Sequence, residues 1–335
     1  MKKRIGLIGA GNRTKDYNLP ILELLSDDLE IVGVTTKSGK LRDGLESITA
    51  PVFSSITTMV EETSPDVLIV SIKSSTVEEV LDEVVSTDVP FLIETTDNYA
   101  VYSKLAESGA KASILEQWPF LPLEQFKKAV INSQSSPLGQ IVSVENDYRT
   151  YDYHGAAQLR NYLPGSPKLI SLKALQNNYR SEFYVDKSGQ EQMPALERIR
   201  AKIGLFENGT MLVYKFSDRH KNMPFRNSKA LKVVGSKGSI TGDCLLDGGC
   251  EISVLDDEGR SHNLEIFYRY TAGHIGAISC TLPSGELIEW ENEFGDLSEH
   301  QLATAHLLKE TLVNENTIYS VDDAVQDMIL SYGGE

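Results

Sequence analysis

Cysteine is scarce. The 335 residues contain three, Cys244, Cys250 and Cys280. The number is odd and no two are spaced as C-x-x-C, so neither a disulfide framework nor a paired-thiol metal site is expected. A chain of this size can build a core without covalent staples, and a reduced, cytoplasmic protein is the expected setting. Long apolar runs are missing as well, and none approaches the roughly 20 residues a membrane helix requires. The basic start Met1-Lys2-Lys3-Arg4 leads into Ile5 to Ile8, but Gly9, Gly11, Asn12 and Arg13 interrupt it before a secretion-signal core can form. Positive charge is in short supply: 32 Lys and Arg face 48 Asp and Glu, a formal charge of −16. That balance excludes the basic footprint of a general nucleic-acid binder and disfavours an anionic membrane surface. Repeats and low-complexity segments are absent too.

What is present is ordinary globular material, 41% hydrophobic and 24% charged, in a length that suits two domains. Ile5 to Ile8, Glu30 to Val34, Val67 to Ile72, Phe91 to Ile93 and Ala112 to Leu115 read as strands. Tyr17 to Leu25, containing Pro20, and Thr76 to Val85 have helical apolar spacing. Continuous apolar strands alternating with helices predict a doubly wound parallel sheet covered on both faces. After Gln117-Trp118-Pro119 the pattern changes. A helix over Leu123 to Asn132 precedes β-like runs at 141–148, 203–206, 210–216, 230–234, 251–255 and 287–290. These predict an α+β domain with an open, mostly antiparallel sheet. Ser298 to Val313 reads as helix, and Ser320 with Asp323 as a capping box for another. The expected division is 1–117 and 118–335.

Gly9-Ala10-Gly11-Asn12-Arg13-Thr14 joins the first strand to the first helix. There the pyrophosphate of a dinucleotide can meet backbone N–H groups at a helix start. Gly9 permits the turn and Gly11 the approach of phosphate. Thr14 holds the third position of the fingerprint, usually Gly or Ala, and predicts looser helix–strand packing. A purely structural turn is the plainer alternative. NAD-preferring sites end their second strand on Asp or Glu, whereas this chain reads Thr35-Thr36-Lys37-Ser38. Hydroxyls and a cation suit a 2′-phosphate, so NADP(H) is expected over NAD(H).

The chain resembles the glucose–fructose oxidoreductase/inositol dehydrogenase (Gfo/Idh/MocA) family. The resemblance rests on the residues above together with Pro65 to Val70, Pro137-Leu138-Gly139-Gln140-Ile141, Glu207-Asn208-Gly209-Thr210, Val233 to Ile240 and Tyr319 to Ala324. It implies an N-terminal Rossmann domain, an open-faced C-terminal sheet, a nicotinamide dinucleotide, and a homodimer or homotetramer built on that sheet. The chemistry motifs depart from it. Where the family carries Glu-Lys-Pro, with a lysine that contacts cofactor and substrate, this chain has Glu94-Thr95-Thr96. A threonine hydroxyl replaces neither a fixed cation nor an ionisable proton donor. The family's Thr-Pro-Asn-x-x-His reads Ile72-Lys73-Ser74-Ser75-Thr76-Val77. Lys73 is a candidate for restoring positive charge, with a solvent-facing lysine as the alternative.

The family's Asp-x-x-x-His finds a partial counterpart in Asp152-Tyr153-His154. An imidazole can donate a proton near neutrality as hydride arrives, with Tyr153 as a second acid candidate and Asp152 in a supporting role. The polar surroundings, Tyr148, Tyr151 and Arg160, suggest a pocket, while a buried hydrogen-bonded histidine is the alternative. His300 and His306 carry no zinc arrangement. Trp118 is a nicotinamide neighbour or, more simply, a packing aromatic. The expected function is hydride transfer between nicotinamide and a carbonyl, hydroxyl or imine carbon of a small metabolite. The rival is a catalytically inactive nucleotide-binding regulator or scaffold of the same fold, which the absent lysine would explain.

Overall fold

A computed structural model describes residues 1–147, 152–180, 184–185, 191–192, 196–217, 230–256 and 258–333. Two compact units result: Met1–Phe120 with His300–Gln326, and Leu121–Glu299 with Asp327–Glu335. The carboxyl-terminal segment therefore serves both units, whereas the sequence reading divided the chain once.

The first unit is built on β1 (Lys3–Ile8), β2 (Leu29–Thr35), β3 (Val52–Phe53), β4 (Val67–Val70), β5 (Phe91–Glu94) and β6 (Ala112–Leu115). They form one sheet in the order β3-β2-β1-β4-β5-β6, parallel throughout. Every residue of β4 is buried, as its unbroken apolar sequence requires of a strand covered on both faces. Burying such a side chain contributes roughly 1.5–3 kcal/mol. The helices are α1 (Leu19–Leu24), α2 (Ile56–Thr63), α3 (Ser74–Ser86) and α4 (Tyr99–Ser108). A π-turn, Thr14–Asn18, leads directly into α1, and Pro20 stands just after the junction of the two. Because β1 connects outward to β2 on one side and β4 lies on the other, the strand order reverses between β1 and β4. Ligands of open α/β sheets bind at the carboxyl ends of strands flanking such a reversal.

The second unit contains α5 (Pro122–Ile131), β7 (Ile141–Asp147), α6 (Asp152–Asn161), β8 (Leu169–Arg180), a short pair β9 (Tyr184–Val185) and β10 (Glu191–Gln192), β11 (Leu196–Phe206), β12 (Met211–Ser217), β13 (Ala230–Gly235), β14 (Gly238–Gly242), β15 (Cys250–Leu255) and β16 (Ser261–Asn263). Its main sheet runs β16-β15-β14-β13-β7-β12-β11-β8, antiparallel except where β12 meets β7. One face is covered: Leu212, Tyr214 and Phe216 alternate into the core along β12. The other leaves Leu175, Ile203, Leu205 and Met211 exposed, with Leu205 directly opposite Met211 and Ala201 opposite Leu175. β17 (Phe267–Thr271), β18 (His274–Thr281) and β19 (Leu287–Glu291) form a separate antiparallel sheet. The chain ends in α7 (Glu299–Leu308) and α8 (Val321–Tyr332). Ser320 and Asp323 make the reciprocal bonds of a capping box: the Asp323 N–H donates to Ser320 Oγ at 3.1 Å, and the Ser320 N–H donates to Asp323 Oδ2 at 3.0 Å.

The architecture is the expected one, a parallel α/β sheet with helices followed by a mostly antiparallel sheet. No described helix is long and apolar enough to cross a membrane.

Candidate nucleotide-binding site

A cavity of about 740 Å³ opens at the carboxyl ends of three strands. Gly9 to Arg13 line it from the end of β1, Thr36, Lys37, Ser38, Lys40 and Arg42 from the end of β2, and Ser71, Ile72 and Lys73 from the end of β4. Five of these thirteen residues are cations, and none is Asp or Glu. A chain with an acidic balance thus holds a locally cationic cavity.

The two glycines differ in what they answer to. Gly9 has φ of +98°, and a Cβ there would collide with the Ser71 carbonyl, so the backbone of this unit requires glycine. Gly11 has an ordinary φ, and an added Cβ would meet nothing within 4 Å. Packing within the chain gives no reason for glycine at Gly11, whereas a ligand backing onto the loop would. Ser71 adds a second sign of the same kind: it is 6% exposed, lines the cavity, and its Oγ has no partner among the described residues. An orphaned buried hydroxyl costs free energy unless something fills the site. The residues present therefore fit a nucleotide pyrophosphate.

Thr14 behaves differently from expectation. It is fully buried, and its hydroxyl donates to the Gly9 carbonyl at 2.9 Å, so it ties the turn together instead of loosening it. Neither Thr14 nor Glu94 lines the cavity. Glu94 Oε2 pairs with Arg13 Nε at 3.0 Å, and Arg13 also donates to Gln117 Oε1 at 3.3 Å and lies over the Tyr17 ring at 4.1 Å. Asn18 Nδ2 donates to Glu94 Oε1 at 3.4 Å. Lys73 occupies the position before the first turn of α3 without a capping hydrogen bond from its side chain, exposed, with no ion-pair partner among the described residues. Trp118 packs edge-on against His300, ring centroids 4.9 Å apart, which is the packing role.

In the second unit, α6 carries Asp152, Tyr153 and His154. His154 is buried, with its ring centroid 4.3 Å from that of Tyr153. The Asp152 carboxylate lies 2.8 Å from the Arg200 guanidinium, and both side chains are almost fully buried. The Tyr214 hydroxyl donates to the Asp152 carbonyl at 2.7 Å, and Asn146 Nδ2 to the Gly155 carbonyl at 3.3 Å. Glycine at 155 makes room for that tyrosine, since a Cβ there would press on its hydroxyl. At the far end of the helix Arg160 pairs with Asp327 of α8 at 2.9 Å. Tyr148 and Tyr151 lie outside the described residues. No group of three or more His, Cys, Asp or Glu is placed to hold a metal ion among the described residues.

Several of these partners escape sequence reading. Lys40 and Arg42 were open to it as further cations beyond the second strand. Ser71, Gln117 and Arg200 gave no local signal, because each acquires its role through a contact distant in the chain.

No family profile matches the sequence, and no curated protein matches it. Solved structures do match in fold. An oxidoreductase from Thermotoga maritima superposes with a TM-score of 0.64 at 16% identity, over 100% of this chain and 96% of that one. The transcriptional regulator Gal80p from Kluyveromyces lactis gives 0.70 at 12% identity, over 98% and 90%. The WlbA dehydrogenase from Bordetella pertussis, solved in complex with NADH and UDP-GlcNAcA, gives 0.61 at 15% identity, over 98% and 94%. At 16% identity or below these matches show the fold alone: this chain shares, over almost its whole length, the fold of these oxidoreductases and of the regulator.

Proposed function

We propose that the chain is an oxidoreductase that uses a nicotinamide dinucleotide, NADP(H) in preference to NAD(H), on a small metabolite. The observation that carries this reading is the cationic cavity at the strand-order reversal, with open space over Gly11 and a Ser71 hydroxyl that has no partner among the described residues. Gly9, Gly11, Asn12 and Arg13 would hold the pyrophosphate through backbone N–H groups and the guanidinium. Thr36, Lys37 and Ser38, after the second strand, would face the adenosine ribose, and a cation there suits a 2′-phosphate. The cofactor would supply or accept the hydride, and His154, with Tyr153 beside it, would handle the proton at a carbonyl, hydroxyl or imine carbon. Asp152, already paired with Arg200, serves as the anchor of α6, while Glu94 and Thr14 act by holding Arg13 and the glycine turn. Lys73 supplies positive charge to the cavity.

The exposed apolar face around Leu175, Ile203, Leu205 and Met211 is assigned to a second copy of this chain, giving a homodimer or homotetramer in a cytoplasmic setting. The rival reading, a nucleotide-binding regulator without turnover, draws on Thr95 in place of lysine and on the likeness in fold to a transcriptional regulator. The test is NADPH oxidation, followed by absorbance, against a panel of aldehydes, ketones, imines and sugar nucleotides. Turnover that disappears in His154→Asn supports the enzyme. Tight NADPH binding with no hydride transfer to any member of the panel supports the regulator.

A further inference from the structure

The acidic balance of the chain is concentrated in one stretch. Between Asp243 and Glu299 stand thirteen Asp and Glu, two Arg and no Lys, which puts −11 of the formal −16 there. The stretch carries the sheet β17-β18-β19. Ile278, Cys280 and Ile288 are buried on the face of that sheet towards α5, which packs against β18 and β19. Successive residues of a strand point to opposite faces, so the register sets what the other face presents. Phe267, Ser279 and Glu289 lie in one row across it, and Arg269, Ala277 and Glu291 in the next. Thr281 lies opposite Leu287. The central strand thus offers only Ala277, Ser279 and Thr281, which leaves a shallow trough between Phe267 on β17 and Leu287 with Glu289 on β19. Phe267 is 54% exposed and Leu287 61%. Arg269 is held by Glu291 at 2.9 Å, whereas Glu289, also exposed, has no ion-pair partner among the described residues.

We propose that this face docks a cationic amphipathic segment of a partner protein, with apolar side chains against Phe267 and Leu287 and a Lys or Arg on Glu289. Large apolar side chains exposed together on one face mark an interaction site. Their acidic setting selects the occupant. A second copy of this chain would bring the same −11 to the contact and be repelled, as would a nucleic acid or an anionic lipid surface. A basic polypeptide is attracted, and it neutralises Glu289 as it docks. The trough is distinct from the open face of the main sheet, and docking there requires no bound nucleotide.

Fluorescence anisotropy of dye-labelled peptides titrated with the full chain tests this. The probes are a peptide of alternating Lys and Leu, one of alternating Lys and Ser, and one of alternating Glu and Leu. The Lys–Leu peptide is expected to bind saturably and at least about tenfold more tightly than the Lys–Ser peptide, and the Glu–Leu peptide not to bind. Phe267→Ser, Leu287→Ser and Glu289→Lys should each weaken the Lys–Leu peptide by about fivefold or more. Glu62→Lys, the same charge change at an exposed position of α2, should leave its affinity unchanged. No saturable binding of the Lys–Leu peptide would overturn the inference. Equal binding of the Lys–Ser peptide, or an equal loss in Glu62→Lys, would overturn it by reducing the attraction to net charge. A shift of Phe267→Ser towards smaller species in sedimentation would overturn it by giving the face to a second copy.

Discussion

Arg13 Nε and Glu94 Oε2 lie 3.0 Å apart, which ties the glycine loop after β1 to the carboxyl end of β5 across the intervening β4. The pair is partly exposed, with side chains at 24% and 14%. Its contribution should therefore fall between those of surface and buried pairs, about 1–2 kcal/mol. Glu94→Gln is expected to lower the unfolding free energy measured in urea by that amount and to weaken dinucleotide binding severalfold, because Arg13 loses its anchor. An unchanged affinity would mean that Arg13 does not act on the nucleotide.

Gly9 and Gly11 should respond oppositely to alanine. Gly9→Ala places a Cβ at positive φ and against the Ser71 carbonyl, and should destabilise the fold by about 1–3 kcal/mol. Gly11→Ala meets no protein atom and should leave stability within about 0.5 kcal/mol of wild type. Thermal or urea unfolding of the two variants distinguishes them. A destabilised Gly11→Ala would show that the chain itself requires that glycine.

Asp152 and Arg200 form a buried pair, so removing one partner strands a charge. Arg200→Met should cost about 3–5 kcal/mol. The double variant Asp152→Leu/Arg200→Met should recover most of that loss, since apolar replacement of both partners is often close to neutral. If the double variant is no better than the single one, the pair does more than anchor α6.

Alkaline pH should loosen the second unit. Burial pushes the Cys280 thiol from 9.0 up to about 11, and it raises Cys250 and Tyr162 as well. A raised pKa means the folded state holds the proton more firmly than the unfolded state. The associated stability is complete below pH 9 and is lost between pH 9 and about 11. Urea midpoints measured from pH 8 to 11 should fall across that window, and Cys280→Ala should flatten part of the decline. A flat profile in the wild type would contradict the burial argument.

The open sheet face predicts its own consequence. Ile203→Glu places a charge among Leu205, Met211 and Leu175, and should shift sedimentation from dimer or tetramer towards monomer. A wild type that already sediments as monomer would remove the assignment of this face to a second copy.

The parallel sheet was legible in the sequence because its strands are apolar on both faces, and β4 shows this in four consecutive residues. α4 was not legible, because Tyr99-Ala100-Val101-Tyr102 is poor helical material. Its ends come instead from the Asn98 cap, which accepts from the Ala100 N–H at 3.0 Å, and from Gly109 at φ +66°. β8 is a mixed polar strand whose identity comes from its pairing with β11. At the site, the glycine loop and Lys37 could be read locally. The Thr14 hydroxyl and the Arg200 partner of Asp152 could not, because each depends on a bond that no periodicity announces.

The central claim is that the cavity at the ends of β1, β2 and β4 binds a nicotinamide dinucleotide. Equilibrium titration with NADPH, read by nicotinamide fluorescence in wild type and Gly11→Ala, tests it most directly. Saturable one-site binding to the wild type is expected, with a loss of at least about tenfold in the folded Gly11→Ala protein. Absence of saturable binding by the wild type, or equal binding by the variant, would contradict it.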